Sequence, residues 1–470
     1  MSIQLIVILI YFALTIVIGI LSQRKAKSAD CFVGSGLGVT MCVAAGTGEW
    51  LGGTSTSGVS EYGFLYGISG AWYTVANGIG ICILAIFFAK LYRSLDTVTV
   101  PGIIEKFIGP NVRVVASILL TFVMIAVGTS QMIAAGTLGV TVLGLSYDVS
   151  VIIFGIGFII YTLAGGMNAV ASTNIMHLIA MYGGVILALF LVGGEIGGLG
   201  RIVTDLPEAY MSPMNIGPSK VSSWIIASIL GACTAQAGIQ PILAAKDTHT
   251  ARKAAFITAF VVAPFGILTA ILGMAAKLRF PDLENAKLAL PTLMMHFTPI
   301  VGGVVLASIM AAVLSTVAPI ILASGTMITK DIYQRVIKPD ATDAQVLRMS
   351  RITTAVAGVA CIALSLYMYG STRILDIVYF AYSIRGALFV ILLLGIYWKR
   401  TSEKGAIWGM IITASVGVFW VLYNAVLGHF PIHPGFTETY AAVIAAFVST
   451  VLFSLIFKNQ RFEADRLNSN

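Results

Sequence analysis

The chain has 470 residues, 58% hydrophobic and only 10% charged, and its mean hydropathy is +0.95. That balance excludes a soluble globular domain and points to a polytopic membrane protein. The formal charge of +8 does not indicate a nucleic-acid partner, because Lys and Arg are scattered among short loops and form no single basic face.

Apolar runs of roughly 20 residues predict about 13 transmembrane helices and no other structural class, hence an all-α polytopic bundle in the lipid bilayer. The first span starts near Ile3 and is followed by Arg24, Lys25 and Lys27, with no small-residue cleavage site, so it reads as a retained helix and not as a signal peptide. The second starts near Val39. Its centre is Gly46-Thr47-Gly48-Glu49-Trp50-Leu51-Gly52-Gly53-Thr54, which is poor helix sequence and carries a carboxylate. Four glycines fit close helix packing. They also fit a broken helix, tolerated at membrane depth only where it is buried or lines a polar cavity, as at transporter binding sites. Glu49 favours the second reading, since an intramembrane carboxylate marks either a functional position or a structural ion pair.

The third to sixth spans start near Gly70, Val114, Val149 and Asn174. His177 follows Asn174 by one turn; a lone histidine on an apolar face is ordinarily a packing residue, with a proton relay as the alternative. The seventh and eighth start near Trp224 and Ala254. The long connections at residues 193–223 and 278–298 contain five prolines and are expected to form short helices or lids.

The ninth span, near Pro299, contains Ala311-Ala312-Val313-Leu314-Ser315-Thr316-Val317-Ala318-Pro319. Ala312, Ser315 and Thr316 stand at i, i+3 and i+4, so one face offers two hydroxyls beside a backbone carbonyl. Pro319 leaves a further carbonyl without its usual N–H partner. Such oxygens suit a hard monovalent cation, although a Ser-Thr pair in a membrane helix commonly bonds back to its own backbone.

After a tenth span near Ser350, the eleventh, near Arg373, carries Arg385 about midway along it. A guanidinium cannot shed its proton and must be compensated. A substrate carboxylate, Glu49, or snorkelling toward Tyr379 and solvent are the three alternatives. The twelfth and thirteenth spans start near Gly405 and Thr439. Of 28 Lys and Arg, 21 lie in loops on one side and six on the other, Arg385 being within a span. This predicts an external N-terminus and a cytoplasmic C-terminus in the cell membrane. The five cysteines, Cys31, Cys42, Cys82, Cys233 and Cys361, have no metal-type spacing, so neither a zinc site nor a disulfide framework is expected.

Several co-linear motifs carry a resemblance: Ser22-Gln23-Arg24-Lys25-Ala26-Lys27, residues 48–72, Tyr161-Thr162-Leu163-Ala164-Gly165-Gly166-Met167, residues 240–246, residues 311–333, and Gly395-Ile396-Tyr397-Trp398-Lys399-Arg400. Together they resemble the sodium/solute symporter family, which includes sodium-coupled proline, sialic acid and glucose transporters. The resemblance implies a leucine-transporter-type fold. In it, residues 1–37 form the first helix and a cytoplasmic turn, 38–198 a first five-helix repeat, and 199–223 an external loop. Residues 224–398 form a second, inverted five-helix repeat, 399–457 two flanking helices, and 458–470 a cytoplasmic tail.

The resemblance also implies one sodium ion between the second and ninth spans, held by the carbonyls of Gly48, Leu51 and Ala312 and the hydroxyls of Ser315 and Thr316. Departures are equally informative. Thr173-Asn174 stands where the family often has Thr-Asp at a second cation site, Trp50 where a polar or acidic residue is common, and the seventh span keeps Gln236 but lacks the Asn and Tyr that contact sugar. A sugar substrate is not expected.

The resulting expectation is a sodium-coupled symporter, not an enzyme, that imports a small carboxylate-bearing solute, either an organic acid or an amino acid. Its candidate substrate residues are Glu49, Trp50, Gly52, Gly53, Thr54, Gln236 and Arg385. Sodium is co-transported, no organic cofactor is expected, and the oligomeric state is open. The alternatives are a proton-coupled transporter of the same fold, using Glu49 or His177, and a membrane sensor. For the latter, residues 458–470 provide no signalling domain.

Overall fold

The computed structural model describes residues 3–23 and 36–457. Arg24, Lys25, Lys27, Cys31 and the tail at 458–470 lie outside the described residues, as do the side chains of 164–169. Among the described residues the chain is helical throughout, with one isolated bridge between Leu37 and Ala245.

Ten helical segments among the described residues are long and apolar enough to cross a membrane. The most enclosed is the ninth span, Pro299–Met327, whose most apolar window is 94% buried. It packs against Ile3–Gln23, Val112–Leu143, Tyr147–Glu195 and Asp343–Met368. Glu403–Leu427 is peripheral, only 17% of its window being buried, and pairs with Glu438–Ile456 at the edge of the bundle. The thick apolar periphery fits a lipid surface, and the enclosed ninth span forms the axis around which the site is built.

The second span is interrupted, as its glycine content predicts. Val39–Trp50 stops at Leu51, and helical structure resumes in a wide π turn at Thr54–Gly58 that leads into Val59–Tyr66. Polar backbone freed at such a break must be satisfied internally at membrane depth. The Gly52 carbonyl accepts from the Thr56 amide at 3.1 Å and from the Ser55 and Thr56 hydroxyls at 2.9 and 3.0 Å. The Gly53 amide donates to Gln131 Oε1 at 2.6 Å.

The seventh span is also interrupted, between Pro218–Ala232 and Gln236–Leu243. Here Tyr92 donates to the Cys233 carbonyl at 3.0 Å, and the Thr234 hydroxyl donates to the Arg385 carbonyl at 2.6 Å. The eighth span divides at Pro264 into Thr248–Val262 and Phe265–Arg279. Tyr147–Glu195 holds the fifth and sixth predicted spans. Its two halves are not collinear, because the hydroxyls of Tyr161 and Thr173 are hydrogen-bonded, whereas twelve residues of straight helix would rise about 18 Å.

Candidate cation and substrate site

The broken second span lies against the ninth, and the five oxygens expected to hold sodium converge there. Thr316 donates to the Gly48 carbonyl in a short hydrogen bond and reaches the Ala312 carbonyl at 3.2 Å. Ser315 donates to the Ala312 carbonyl at 2.8 Å and to the Leu51 carbonyl at 3.4 Å. The back-bonding expected of a Ser-Thr pair is therefore present, but both hydroxyls also cross to the broken span. All these residues are buried. Three carbonyls and two hydroxyls in one dry place form a neutral oxygen cage, suited to a hard monovalent cation and lacking the carboxylates typical of a calcium site.

Glycine is required on the facing span. A Cβ at Gly48 would lie 2.3 Å from Asn174 Nδ2 and 2.5 Å from the Ser315 carbonyl; one at Gly52 would lie 2.3 Å from Thr316 Oγ1 and 2.5 Å from Gln131 Oε1. Asn174 donates to the Ser315 carbonyl at 3.3 Å and so borders this group of oxygens. His177 bonds through Nδ1 to the Tyr11 hydroxyl at 2.5 Å, which fits the packing reading.

On the other side of the break, Glu49 Oε1 and Arg385 Nη1 are 3.3 Å apart, both side chains being fully buried. Of the three alternatives for Arg385, the internal ion pair is the arrangement present. Its guanidinium carbon sits 3.8 Å from the Tyr382 ring centre and 5.1 Å from that of Trp50. Trp50 and Tyr382 meet edge to face. Trp50 also lines a small cleft with Cys42, Gly46, Gly238, Ile242 and Thr258, between Val39–Trp50 of the second span, Gln236–Leu243 of the seventh and Thr248–Val262 of the eighth.

A relay of polar groups joins the two places. The Tyr382 and Tyr73 hydroxyls are 3.2 Å apart, Tyr73 and Thr54 3.0 Å, and Gln131 Nε2 donates to Thr54 at 3.1 Å while its Oε1 receives the Gly53 amide. Sequence reasoning missed Gln131 and Tyr73. A glutamine in an otherwise apolar fourth span was the available signal.

Three expected substrate residues are placed differently. Gln236 is committed to a connecting loop: it accepts from the Val100 amide at 2.7 Å and donates to the Val98 carbonyl at 3.2 Å, so both ends of its amide are used. Gly52 and Gly53 face Thr316, Gln131 and Ala134, toward the cation cage and the fourth span. Buried backbone takes the partner in each case: the Val98 and Val100 loop engages the Gln236 amide, and the Gly53 amide donates to Gln131.

At one end of the bundle Lys220 donates to Tyr62 and Asp376, both at 2.9 Å, and Tyr62 donates to Asp376 at 2.6 Å. At the other, Asp331 accepts from Arg113 at 2.6 Å and from Thr99 at 2.9 Å, and Glu105 bridges Arg113 and Arg335. Polar clusters therefore tie the second, seventh and eleventh spans together at one end and the ninth span to the loop after the third at the other.

The family model for the sodium:solute symporter family matches residues 32–413, most of the chain. The chain belongs to that family. Similar proteins include two of Bacillus subtilis. The osmoregulated proline transporter OpuE is 24% identical over 99% of this chain and 98% of its own, and the high-affinity proline transporter PutP is 25% identical over 92% and 94%. Among solved structures, a sodium-coupled sialic acid symporter in a substrate-bound outward-open state superposes with a TM-score of 0.81 at 18% identity, covering 98% of this chain and 99% of that one. Mhp1, a nucleobase-cation-symport-1 family transporter, gives 0.61 at 12% identity over 92% and 96%. MhsT in complex with L-phenylalanine gives 0.58 at 15% identity over 90% and 99%. As a sodium:solute symporter, the chain is a sodium-coupled carrier of a small organic solute with the leucine-transporter-type fold.

Proposed function

We propose that this symporter holds its sodium ion in the cage of Gly48, Leu51, Ala312, Ser315 and Thr316, and binds a carboxylate-bearing solute beside Arg385. The convergence of two hydroxyls from the ninth span on carbonyls of the broken second span is the observation that carries the reading. Sodium takes over those carbonyls and draws the hydroxyl lone pairs toward itself, which fixes the ninth span against the break. The break then presents Glu49, Trp50 and Thr54 to the solute.

Coupling follows because both ligands order the same break, so each raises the affinity for the other, typically by about 1–3 kcal/mol. The excess of Lys and Arg on one side supports an external N-terminus and a cytoplasmic C-terminus. In that orientation the Tyr62, Lys220 and Asp376 cluster closes the external side. Inward release follows when the ninth span leaves the second, with the Asp331 cluster guiding its cytoplasmic end. The thirteen-span count and the two five-helix repeats at 38–198 and 224–398 belong to the same proposal.

That relatives are named as proline transporters supports a solute with a carboxylate. The test is uptake into proteoliposomes of a panel of small carboxylates and amino acids under a sodium gradient. Sodium-dependent accumulation of a carboxylate-bearing solute, lost in Arg385→Gln, is expected; accumulation driven equally by potassium, or untouched by the substitution, rejects the assignment.

A further inference from the structure

The foot of the third span carries charge that the transport cycle does not use. This span ends in Ala89–Ser94, which packs along Thr248–Val262 of the eighth and against Gln236–Leu243 of the seventh. Ile81 and Leu84 share a cleft with Ala254, Ala255 and Thr258, and Arg93 donates through Nε to the Ala245 carbonyl at 2.5 Å, so the third and eighth spans run antiparallel. Lys90, six residues beyond Leu84 and about 9 Å further along the axis, therefore comes level with the first two turns of Thr248–Val262, near Arg252 and Lys253. The Arg93 bond brings Lys246 to the same end. Five cations thus meet two carboxylates, and both carboxylates are committed: Asp247 accepts the Thr250 amide at 2.6 Å as the helix cap, and Asp96 lies 4.0 Å from Arg93. Among the described residues Lys90, Lys246, Arg252 and Lys253 form no ion pair. Arg252 lies over the Phe256 ring, 5.7 Å from its centre, and its Nε is closed to solvent without an acceptor. Further into the membrane on the same two spans, Phe87, Ile257 and Phe260 are exposed.

We propose that an anionic phospholipid binds here, its phosphate held by Lys90, Arg252 and Lys253 and an acyl chain laid along Phe87, Ile257 and Phe260. A phosphate oxygen supplies the acceptor that Arg252 lacks, and a guanidinium held against a ring is suited to phosphate. A zwitterionic headgroup brings its own cation to a rim that already has an excess of them. A soluble phosphate gains nothing from the apolar wall. Anionic lipid attracts juxtamembrane cations in general; the orphaned Arg252 Nε beside three unpaired lysines, directly below exposed aromatic surface, makes this place a site. Its position also matters for transport. The Leu37 amide donates to the Ala244 carbonyl at 2.9 Å and the Lys246 amide to the Leu37 carbonyl at 3.0 Å. The lipid therefore sits at the strap that fastens the inner ends of both broken spans to each other and, through Arg93, to the third.

The experiment titrates the purified full-length protein in detergent micelles with dioleoylphosphatidylglycerol, dioleoylphosphatidylcholine or glycerol 1-phosphate and follows thermal melting. Three proteins are compared: the wild type, the Lys90→Gln, Arg252→Gln, Lys253→Gln triple variant, and an Arg348→Gln, Arg351→Gln control that removes two exposed arginines from the start of the tenth span. A saturable rise in melting temperature with phosphatidylglycerol is expected, at a concentration at least tenfold below that needed of phosphatidylcholine, and none with glycerol 1-phosphate. The triple variant should shift the phosphatidylglycerol curve at least tenfold and the control should leave it in place. Equal stabilisation by phosphatidylcholine overturns the proposal in favour of an apolar wall alone. An equal effect of glycerol 1-phosphate overturns it in favour of a soluble anion site, and an equal loss in the control in favour of diffuse surface charge. If the triple variant does not fold, Arg252→Gln alone is read in the same way, and the wild-type comparison of the three ligands still decides between lipid, apolar wall and soluble anion.

Discussion

The hydroxyl of Thr316 donates to the carbonyl of Gly48, 268 residues earlier in the chain, and so closes the gap between the ninth span and the broken second span. In the absence of sodium this bond does part of what the ion is proposed to do: it satisfies a carbonyl that the break has freed. Removing the hydroxyl should therefore cost little fold stability, on the order of 0.5–1.5 kcal/mol for one hydrogen bond, and much more cation affinity. Thr316→Ser is expected to keep sodium activation of uptake, and Thr316→Val to raise the half-saturating sodium concentration by about tenfold, equivalent to roughly 1.4 kcal/mol. Equal sodium dependence in the two variants rejects the ligand role.

The close approach of the two spans predicts a steric result. Gly48→Ala places a methyl group 2.3 Å from Asn174 Nδ2, and Gly52→Ala places one 2.3 Å from Thr316 Oγ1. Overpacking of this kind costs about 1–3 kcal/mol, and here it also wedges the cation cage open. Gly183→Ala, where no heavy atom lies within 4 Å, is the control and should melt like the wild type. Melting curves of the three variants, with and without sodium, check this.

For the buried pair, removing one partner leaves an uncompensated charge, at a cost of about 3–5 kcal/mol. Arg385→Gln and Glu49→Gln should each melt well below the wild type, and the double variant should recover most of the loss, since two neutral amides can replace the pair. Uptake should remain absent in the double variant, because stability and recognition are separate demands on the same residues. Additive loss of stability in the double variant contradicts the pairing.

The relay from Tyr382 through Tyr73 and Thr54 to Gln131 joins the Arg385 side of the break to the Gly53 amide. Gln131→Leu, and less severely Tyr73→Phe, should weaken the dependence of solute affinity on sodium more than either affinity measured alone. Titrations of each ligand at zero and saturating concentrations of the other measure this directly; an undiminished coupling factor rules the relay out as the carrier.

The second-span break was legible in the sequence because four glycines around Glu49 leave no strong helix former at its centre. The contact of the ninth span with the broken second span was foreshadowed by the i, i+3, i+4 spacing of Ala312, Ser315 and Thr316, whose hydroxyls reach the Leu51 and Gly48 carbonyls; that these oxygens hold sodium is the proposal made above. The seventh-span break was not legible. Gly231-Ala232-Cys233-Thr234 is only mildly unfavourable for a helix, and the interruption is held by partners distant in sequence, Tyr92 and the Arg385 carbonyl. The surroundings of Gln236 were not legible for the same reason: a single chain cannot reveal that the Val98 and Val100 backbone takes up both ends of its amide. For Arg385 the sequence offered three partners, and only the fold brings Glu49 within reach.

The most direct test of sodium coupling through the Ser315 and Thr316 cage is the melting temperature of the purified protein, titrated with sodium against potassium at constant ionic strength. The measurement compares the wild type with the Ser315→Ala, Thr316→Ala double variant. A ligand of the folded state stabilises it in proportion to its saturation. A saturable rise with sodium alone in the wild type, shifted at least tenfold or abolished in the double variant, is the predicted result. An identical response to sodium and potassium, or an unchanged sodium response in the double variant, would contradict the assignment.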